Sequence, residues 1–179
     1  MTELLLVRHG ETDWNAQLRV QGHADPPLND RGREQARALA ASLGGENVDA
    51  IYSSDLVRAR ETAEIVGTSL SLDVQVDPGL REVDTGNWTG LTREEIRARF
   101  PDQQHHDGES HDDLVQRVTA ALDRICETHP RERVLVVTHG GALRWTLHGA
   151  GGAFLERIEH CGVYRMAFRD GALKPSTSA

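Results

Sequence analysis

The sequence of 179 residues has only two cysteines, no excess of positive charge and no long hydrophobic run. Its net charge of −8 excludes the basic face that nucleic-acid binding needs, so we expect no nucleic-acid partner. The apolar run Leu4-Leu5-Leu6-Val7 is too short for a signal peptide or a membrane span. Cys126 and Cys161 lie far apart and are expected to be free thiols, as is usual in a reducing compartment. The sequence therefore predicts a cytoplasmic protein without a membrane partner.

What the sequence does contain is an alternation of strand-like and helix-like segments. Strands are predicted at residues 2–9, 48–53, 72–76 and 133–138, with a final hairpin over 163–173 that turns at Asp170-Gly171. Helices are predicted after Asn29, from Asp55, from Thr92 to Phe100, from Ser110 or Asp112 to Thr128, and over 140–148, whereas 10–28 and 78–90 are predicted to be irregular. This order favours one α/β domain over residues 1–179, a three-layer sandwich with a mainly parallel sheet flanked by helices on both faces. Residues from about 174 to 179 are expected to fray.

Two histidines follow predicted strands. His9 lies beside Arg8 after the first apolar run, and His139 lies after residues 134–138. In open α/β sheets, ligands bind at the carboxyl ends of the strands. Arg8 would repel a metal ion bound at His9 but would attract a phosphate dianion. The two strand ends therefore favour phosphate chemistry over a metal site.

The residues around His9 suit a nucleophilic histidine. A neutral histidine attacks phosphorus well, and a backbone carbonyl near Gly10 would accept its Nδ1 proton and fix that tautomer. Asn15 offers an amide donor. Arg58, in the first turn of a predicted helix at the same sheet edge, offers a second cation where the helix dipole also favours an anion. Arg60 is expected to form a surface ion pair instead.

Two carboxylates compete for the role of general acid. Glu82 lies in the irregular stretch that would overhang the strand ends, and a carboxyl beside a phosphoryl group has a raised pKa. Read without its context, Glu82 is more typical of a surface carboxylate. The neighbouring Asp84 is the competing acid.

Several stretches together resemble the histidine phosphatase superfamily, which includes the cofactor-dependent phosphoglycerate mutases. They are residues 6–15 (LVRHGETDWN), Gln21-Gly22, residues 28–32 (LNDRG), residues 53–63 (SSDLVRARETA), residues 80–82 (LRE) with 86–90 (GNWTG), and residues 137–141 (VTHGG). Any one of these motifs is moderately specific to the superfamily, but their occurrence together in this order makes the resemblance strong. The resemblance covers residues 3 to about 150.

The resemblance implies roles for these residues. His9 would be the phosphorylated nucleophile, and Glu82 would protonate the leaving alkoxide and then activate water. The phosphate would be bound by Arg8, Asn15, Gln21, Gly22, Arg58, His139 and the Gly140 N–H. We expect no metal and no cofactor, because two arginines and a histidine would neutralise the phosphoryl oxygens.

The length of two segments favours hydrolysis over mutase activity. A mutase must exclude water, which calls for a closing lid. Residues 101–110 are shorter than the corresponding segment of the mutases, and only nine residues follow Asp170. We therefore expect a phosphatase acting on a small phosphorylated metabolite. The alternatives are a 2,3-bisphosphoglycerate-dependent phosphoglycerate mutase, a non-catalytic phosphate-binding module, and a metal hydrolase using His9, Glu82 and His139.

The sequence does not choose the substrate. Trp88 is expected to pack under the Glu82 loop, and His105 and His106 to decorate a solvated loop, while His23 stays open between a surface and a substrate role. The Glu109-Ser110 pair is expected to cap the following helix. His111, His129, His148 and His160 have no predicted partner. A homodimer is the default expectation.

Overall fold

The computed structural model describes residues 1–102, 104–105, 107–151, 155 and 157–176. The strands are β1 (Thr2–Arg8), β2 (Ala50–Ser53), β3 (Val74–Val76), β4 (Arg133–Thr138), β5 (Val163–Arg169) and β6 (Ala172–Pro175). The helices are α1 (Asp13–Ala16), α2 (Asp30–Ser42), α3 (Val57–Leu70), α4 (Arg93–Arg99), α5 (His111–Thr128) and α6 (Gly140–Gly149), with short 3₁₀ turns at Pro78–Leu80 and Gly86–Trp88. His106 and the last part of the expected frayed tail, residues 177–179, lie outside the described residues.

The strands form one six-stranded sheet in the order β3-β2-β4-β1-β5-β6. β1 to β4 run parallel to one another, whereas β5 is antiparallel to β1 and continues into β6. The prediction of a mainly parallel sheet is therefore confirmed. β1 and β4 are in register up to the pair Arg8–Thr138, so both strands end at the same level and present the next residues side by side.

Helices cover both faces of the sheet, which confirms the predicted three layers. Alternate residues of β1 point to opposite faces. Leu4 and Leu6 pack in a cluster with α5 and α6, and Leu5 and Val7 pack in a second cluster with α2 and α3. All four side chains are fully buried. A strand buried on both faces reads as a continuous apolar run rather than an alternating one, which is why residues 4–7 contain no polar side chain.

Most predicted helix starts are confirmed by their caps. The side chains of Asn29 and Ser110 cap α2 and α5, and Thr92 forms a capping box with Glu95 at α4. These side-chain oxygens accept N–H groups that have no partner within the helix.

Several predicted boundaries are wrong. β2 and β3 each begin two residues later than predicted, and β6 extends to Pro175 into the tail that was expected to fray. Two other differences have a clear local cause. α3 begins at Val57 rather than at Asp55, because the Asp55 carboxylate pairs with Arg81 and is not used as a cap. The stretch 10–28 is not wholly irregular, since a capping box of Thr12 and Asn15 starts the short helix α1.

The terminal hairpin turns where the sequence predicts it. Arg169 pairs with Ala172 across the two-residue loop Asp170-Gly171. Both loop residues have positive φ, 53° and 75°, as a type I′ turn requires. Among the described residues, no helix has both the length and the apolar character that crossing a membrane would need.

Candidate active site

His9 and His139 lie side by side at the carboxyl ends of β1 and β4. The backbone N–H of His9 donates to the Thr138 carbonyl at 3.0 Å, which extends the strand pairing by one residue. The two imidazole centroids are 5.2 Å apart, and the side chains are 2% and 0% exposed. The structure thus brings together the two histidines that the sequence placed at strand ends.

The contact that fixes the tautomer of His9 is present. Its Nδ1 lies 2.6 Å from the Gly10 carbonyl oxygen. Because a carbonyl only accepts, Nδ1 carries the proton and Nε2 keeps its lone pair. Burial, reinforced by the charges of Arg58 and Arg8, holds the pKa of His9 well below its usual 6.5. The imidazole is therefore neutral near pH 7, with one nitrogen available as a nucleophile.

The tight turn after His9 depends on the small size of Gly10. A Cβ at this position would lie 2.5 Å from the Gly32 carbonyl oxygen at the start of α2. The Gly10 N–H donates to the Thr62 hydroxyl of α3 at 3.0 Å. The turn that holds the His9 tautomer is thereby locked between two helices.

Two arginine side chains lie beside the histidines, Arg58 fully buried and Arg8 half-buried. Arg58 of α3 is 1% exposed and donates to the carbonyls of Gly22 at 2.8 Å and Ala24 at 2.6 Å. Arg8 donates to the Ile158 carbonyl at 2.7 Å. Burial lowers the pKa of Arg58 to about 10 and also lowers that of Arg8, yet the Arg58 guanidinium stays charged at neutral pH.

Several buried nitrogens at this place have no hydrogen-bond partner among the described residues. They are Nε of Arg8, Nε of Arg58 and both ring nitrogens of His139. Native proteins seldom leave buried donors unpaired, because each costs the desolvation of the group. An oxyanion bound here would accept hydrogen bonds from the two cationic side chains and from the adjacent imidazole.

The Glu82 carboxylate reaches across to the first turn of α6. Its oxygens accept the backbone N–H groups of Val83 at 2.9 Å, Gly141 at 3.0 Å and Ala142 at 3.0 Å. The positive end of the helix dipole favours a negative group there. The Glu82 charge also acts on both Arg8 and Arg58, whose pKa values it raises against the effect of burial.

Asp84, the competing carboxylate, has a different place. It accepts the Gly86 N–H at 2.9 Å, as expected for a residue that shapes a turn, and its side chain is 44% exposed. His23 lies between the two acids, since its Nε2 is 2.8 Å from the Glu82 carbonyl oxygen and its Nδ1 is 3.9 Å from the Asp84 carboxylate. Because the carbonyl accepts, the Nε2 of His23 is the donor.

The remaining predicted phosphate-binding residues surround this cluster in different ways. Asn15 uses its side-chain oxygen to accept the N–H and hydroxyl of Thr12, which leaves its NH₂ group as the donor. Gln21 is buried, and its side-chain oxygen is 3.1 Å from the same hydroxyl. Gly22 contributes its carbonyl to Arg58. Gly140 begins α6, and a Cβ there would lie 3.2 Å from Nε of Arg8.

His160, which has no predicted partner, lies against His9. Their ring centroids are 5.9 Å apart. The next residue, Cys161, donates its N–H to the Arg8 carbonyl at 2.8 Å, which ties the chain before β5 to the end of β1. Burial and the charge of Arg8 lower the pKa of His160 to about 3. No motif in the sequence signals this residue, because its place depends on the antiparallel pairing of β5.

Other expectations have mixed outcomes. Arg60 forms the expected surface ion pair, with Glu64 at 3.5 Å. Trp88 packs edge-on against His105 with centroids 5.0 Å apart. The expectation of a solvated His105 holds only in part, since the residue is half-buried and its Nδ1 is buried. Ser110 is the cap of α5, whereas Glu109 pairs with Arg117.

The other unassigned histidines also have neighbours. His111 and His148 pack against Trp145, while His129 lies 2.6 Å from the Glu132 carboxylate and 3.0 Å from the Tyr52 hydroxyl. Within the described part of the chain, no group of three or more His, Cys, Asp or Glu side chains is arranged to hold a metal ion.

Comparison with known proteins places this geometry in a family. A sequence model of the histidine phosphatase superfamily (branch 1) matches residues 4–175. Phosphoglycerate mutase-like protein 4 of Arabidopsis thaliana is 43% identical over an alignment of 156 residues that covers 79% of this chain and 68% of that protein. The metal-independent phosphoserine phosphatase of Arabidopsis thaliana is 42% identical over an alignment of 158 residues that covers 80% of this chain and 66% of that protein. The solved structure of Bacillus stearothermophilus YhfR gives a TM-score of 0.92 at 33% identity and covers 98% of this chain and 96% of that one.

Proposed function

The chain belongs to the histidine phosphatase superfamily, and on that premise we propose that it hydrolyses the phosphomonoester of a small metabolite through a phosphohistidine at His9. The observation that carries the proposal is the 2.6 Å contact between His9 Nδ1 and the Gly10 carbonyl. It leaves Nε2 as a free nucleophile beside the guanidinium groups of Arg8 and Arg58. A relative named as a phosphoserine phosphatase supports this class of substrate.

The phosphoryl group would bind between Arg8, Arg58 and His139. The unpartnered Nε atoms of the two arginines would donate to its oxygens, with the Asn15 NH₂ and the Gly140 N–H as further donors and Gln21 and Gly22 at the edge of the pocket. Charge that spreads over these oxygens in the transition state would be stabilised by fixed donors, each worth about 10²–10³ in rate. These protein groups supply the positive charge that kinases take from Mg²⁺.

The reaction would proceed in two steps that reuse Glu82. In the first, His9 Nε2 forms a bond to phosphorus, the ester P–O bond breaks, and protonated Glu82 gives its proton to the leaving alkoxide. In the second, the Glu82 carboxylate takes a proton from water, the water oxygen attacks phosphorus, and the N–P bond breaks to release inorganic phosphate. The histidine and the glutamic acid return to their starting forms.

Hydrolysis is favoured over mutase activity by the segment 101–110. Two of its described residues contact the neighbouring turn, with the Asp107 carboxylate accepting the Asn87 N–H at 2.9 Å and His105 packed on Trp88. These contacts of Asp107 and His105 support hydrolysis, because a lid would have to break them to move. Mutase activity is the second candidate, because one relative is named as phosphoglycerate mutase-like. The free thiols of Cys126 and Cys161 support a cytoplasmic location.

The test measures phosphate release from a panel of small phosphomonoesters with EDTA present, alongside isomerisation of 3-phosphoglycerate primed with 2,3-bisphosphoglycerate. We expect release that survives EDTA and is abolished by His9→Ala. Arg58→Ala should also lose activity, whereas Arg60→Ala, the matched control two residues further along α3, should keep it.

Each alternative gives a different result. Chelator-sensitive release restored by Zn²⁺ would indicate a metal hydrolase. Isomerisation faster than hydrolysis would indicate a mutase and would contradict the argument from residues 101–110. Phosphate binding without turnover of any ester would indicate a binding module.

A further inference from the structure

Arg117, in the middle of α5, uses every donor of its guanidinium. Nε and Nη2 donate to the two carboxylate oxygens of Glu109 at 2.8 and 2.7 Å. Nη1 donates to the carbonyls of Gly79 at 2.9 Å and Arg81 at 3.1 Å, and Nη2 also donates to the Glu82 carbonyl at 3.2 Å. An arginine has five N–H groups, so all five are engaged here. The side chain is only 26% exposed.

These bonds converge on the segment that carries Glu82. Four consecutive carbonyls, those of residues 79–82, are bound: Arg117 takes three, and the Thr138 hydroxyl of β4 donates to Leu80 at 2.7 Å. The segment begins within the 3₁₀ turn Pro78–Leu80 and belongs to no strand, so its backbone carbonyls have no sheet partners. Side chains supply the hydrogen bonds that secondary structure would otherwise supply.

Glu109 completes the arrangement from the other side. It forms a two-point ion pair with Arg117, and it also accepts the Asp84 N–H at 3.3 Å. The Arg117–Glu109 pair therefore binds the backbone on both sides of residue 83. Arg117 donates to the Glu82 carbonyl, and Glu109 accepts the Asp84 N–H. A planar guanidinium paired at two points has one orientation, which a lysine ammonium does not provide.

We propose that Arg117, held by Glu109, is a positioning residue that sets the place of the Glu82 carboxylate relative to His9. The inference rests on the proposed function, in which Glu82 is the general acid and base. Arg117 binds the backbone of the segment and not the carboxylate itself. Its loss would leave the carboxylate in the protein but release the backbone from which it extends.

A comparison of leaving groups separates positioning from general stability. An alkyl phosphate needs protonation of its leaving oxygen, whereas p-nitrophenyl phosphate releases a weakly basic phenolate that needs little help. The quantity to compare is kcat/KM, because it reports the steps up to release of the leaving group and excludes the later hydrolysis of phosphohistidine. The variant is Arg117→Lys. Its matched control is Arg124→Lys on the same helix, where Arg124 pairs with Asp77 at 3.0 Å and contacts none of these four carbonyls among the described bonds.

We expect Arg117→Lys to lower kcat/KM for the alkyl phosphate by about 10²-fold, as for a misplacement of about 1 Å. For p-nitrophenyl phosphate, kcat/KM should stay within about threefold of the wild type. Arg124→Lys should change neither, and Glu82→Gln should show the same selectivity as Arg117→Lys with a larger loss. Equal losses on both substrates, or no loss on either, would overturn the inference.

Two further results keep the outcomes distinct. If Arg117→Lys does not fold, Glu109→Gln decides, because it keeps the arginine and removes only the charge that orients it. A folded Glu109→Gln variant without leaving-group selectivity would overturn the inference. Failure of the proposed function would show earlier, as a wild type that hydrolyses neither ester or a His9→Ala variant that is fully active.

Discussion

Replacing Gly141 by alanine should reduce activity without reducing stability. Gly141 lies in the first turn of α6, and its N–H donates to the Glu82 carboxylate. A Cβ at this position would lie 2.4 Å from one carboxylate oxygen of Glu82, whereas ordinary van der Waals contact begins at 3.4 Å. The carboxylate must therefore retreat by about 1 Å, and its hydrogen bonds to Gly141 and Ala142 lengthen.

The magnitude follows from that displacement. A misplacement of about 1 Å at a reacting group costs about 10²-fold in rate. The obstacle is the end of a flexible side chain rather than backbone, so the fold accommodates it. Alanine within a helix is favoured over glycine by about 0.5–1 kcal/mol, so we expect the free energy of unfolding to be unchanged or raised. A less active but equally stable enzyme would locate the effect at Glu82.

The assay compares kcat/KM for an alkyl phosphate with the midpoint of thermal unfolding. Gly149→Ala is the matched control, because Gly149 ends the same helix and a Cβ there would have no neighbour within 4 Å. We expect Gly149→Ala to keep full activity. Wild-type activity in Gly141→Ala would refute the reasoning, since the Glu82 carboxylate would then not be needed where the structure places it.

Three other predictions test Arg58 and the two buried histidines. Arg58→Lys keeps a charge but cannot donate to Gly22 and Ala24 as a fork, so phosphate release should fall about 10²-fold, and a variant with wild-type kcat/KM would contradict this. The imidazole signals of His9 and His139 should not titrate in NMR spectra near pH 6.5, because burial first and the charge of Arg58 second hold both pKa values well below it. Since the unfolded chain binds these protons and the folded chain does not, the free energy of unfolding measured with denaturant should fall as pH drops below about 6.5. Signals that titrate near pH 6.5 would contradict the burial argument.

The sequence predicts the parts of this site that follow strands or begin helices. His9 and His139 could be placed together because apolar runs identify buried strands and parallel strands end at one edge. Arg58 could be placed near them because the helix that carries it begins directly after another parallel strand, β2, at the same edge. The capping patterns at Asn29 and Thr92 likewise depend on neighbours within four residues.

What escaped prediction depends on contacts between distant segments. Arg117 reads as an ordinary polar residue on a helix, and only the fold brings the carbonyls of residues 79–82 to it. His160 adjoins His9 because β5 pairs with β1 in the antiparallel sense. Asp55 has the position of a helix cap but binds Arg81 instead. Glu82 could not be separated from Asp84 by spacing, because the separation is made by the N–H groups of α6.

The antiparallel direction of β5 has a consequence for how such a site can vary. The segments that follow β2 and β4 are short and lead at this edge into the starts of α3 and α6, so their lengths are constrained by those helices. β5 is antiparallel to β1, so its amino end lies at the carboxyl end of β1. The segment before β5 therefore reaches the same edge of the sheet, but it leads into a strand instead of a helix. Its residues, among them Ile158 and His160, touch Arg8 and His9 without belonging to a crossover connection. Substitutions at Ile158 or His160 would therefore change the surroundings of Arg8 and His9 without changing the pairing of the sheet.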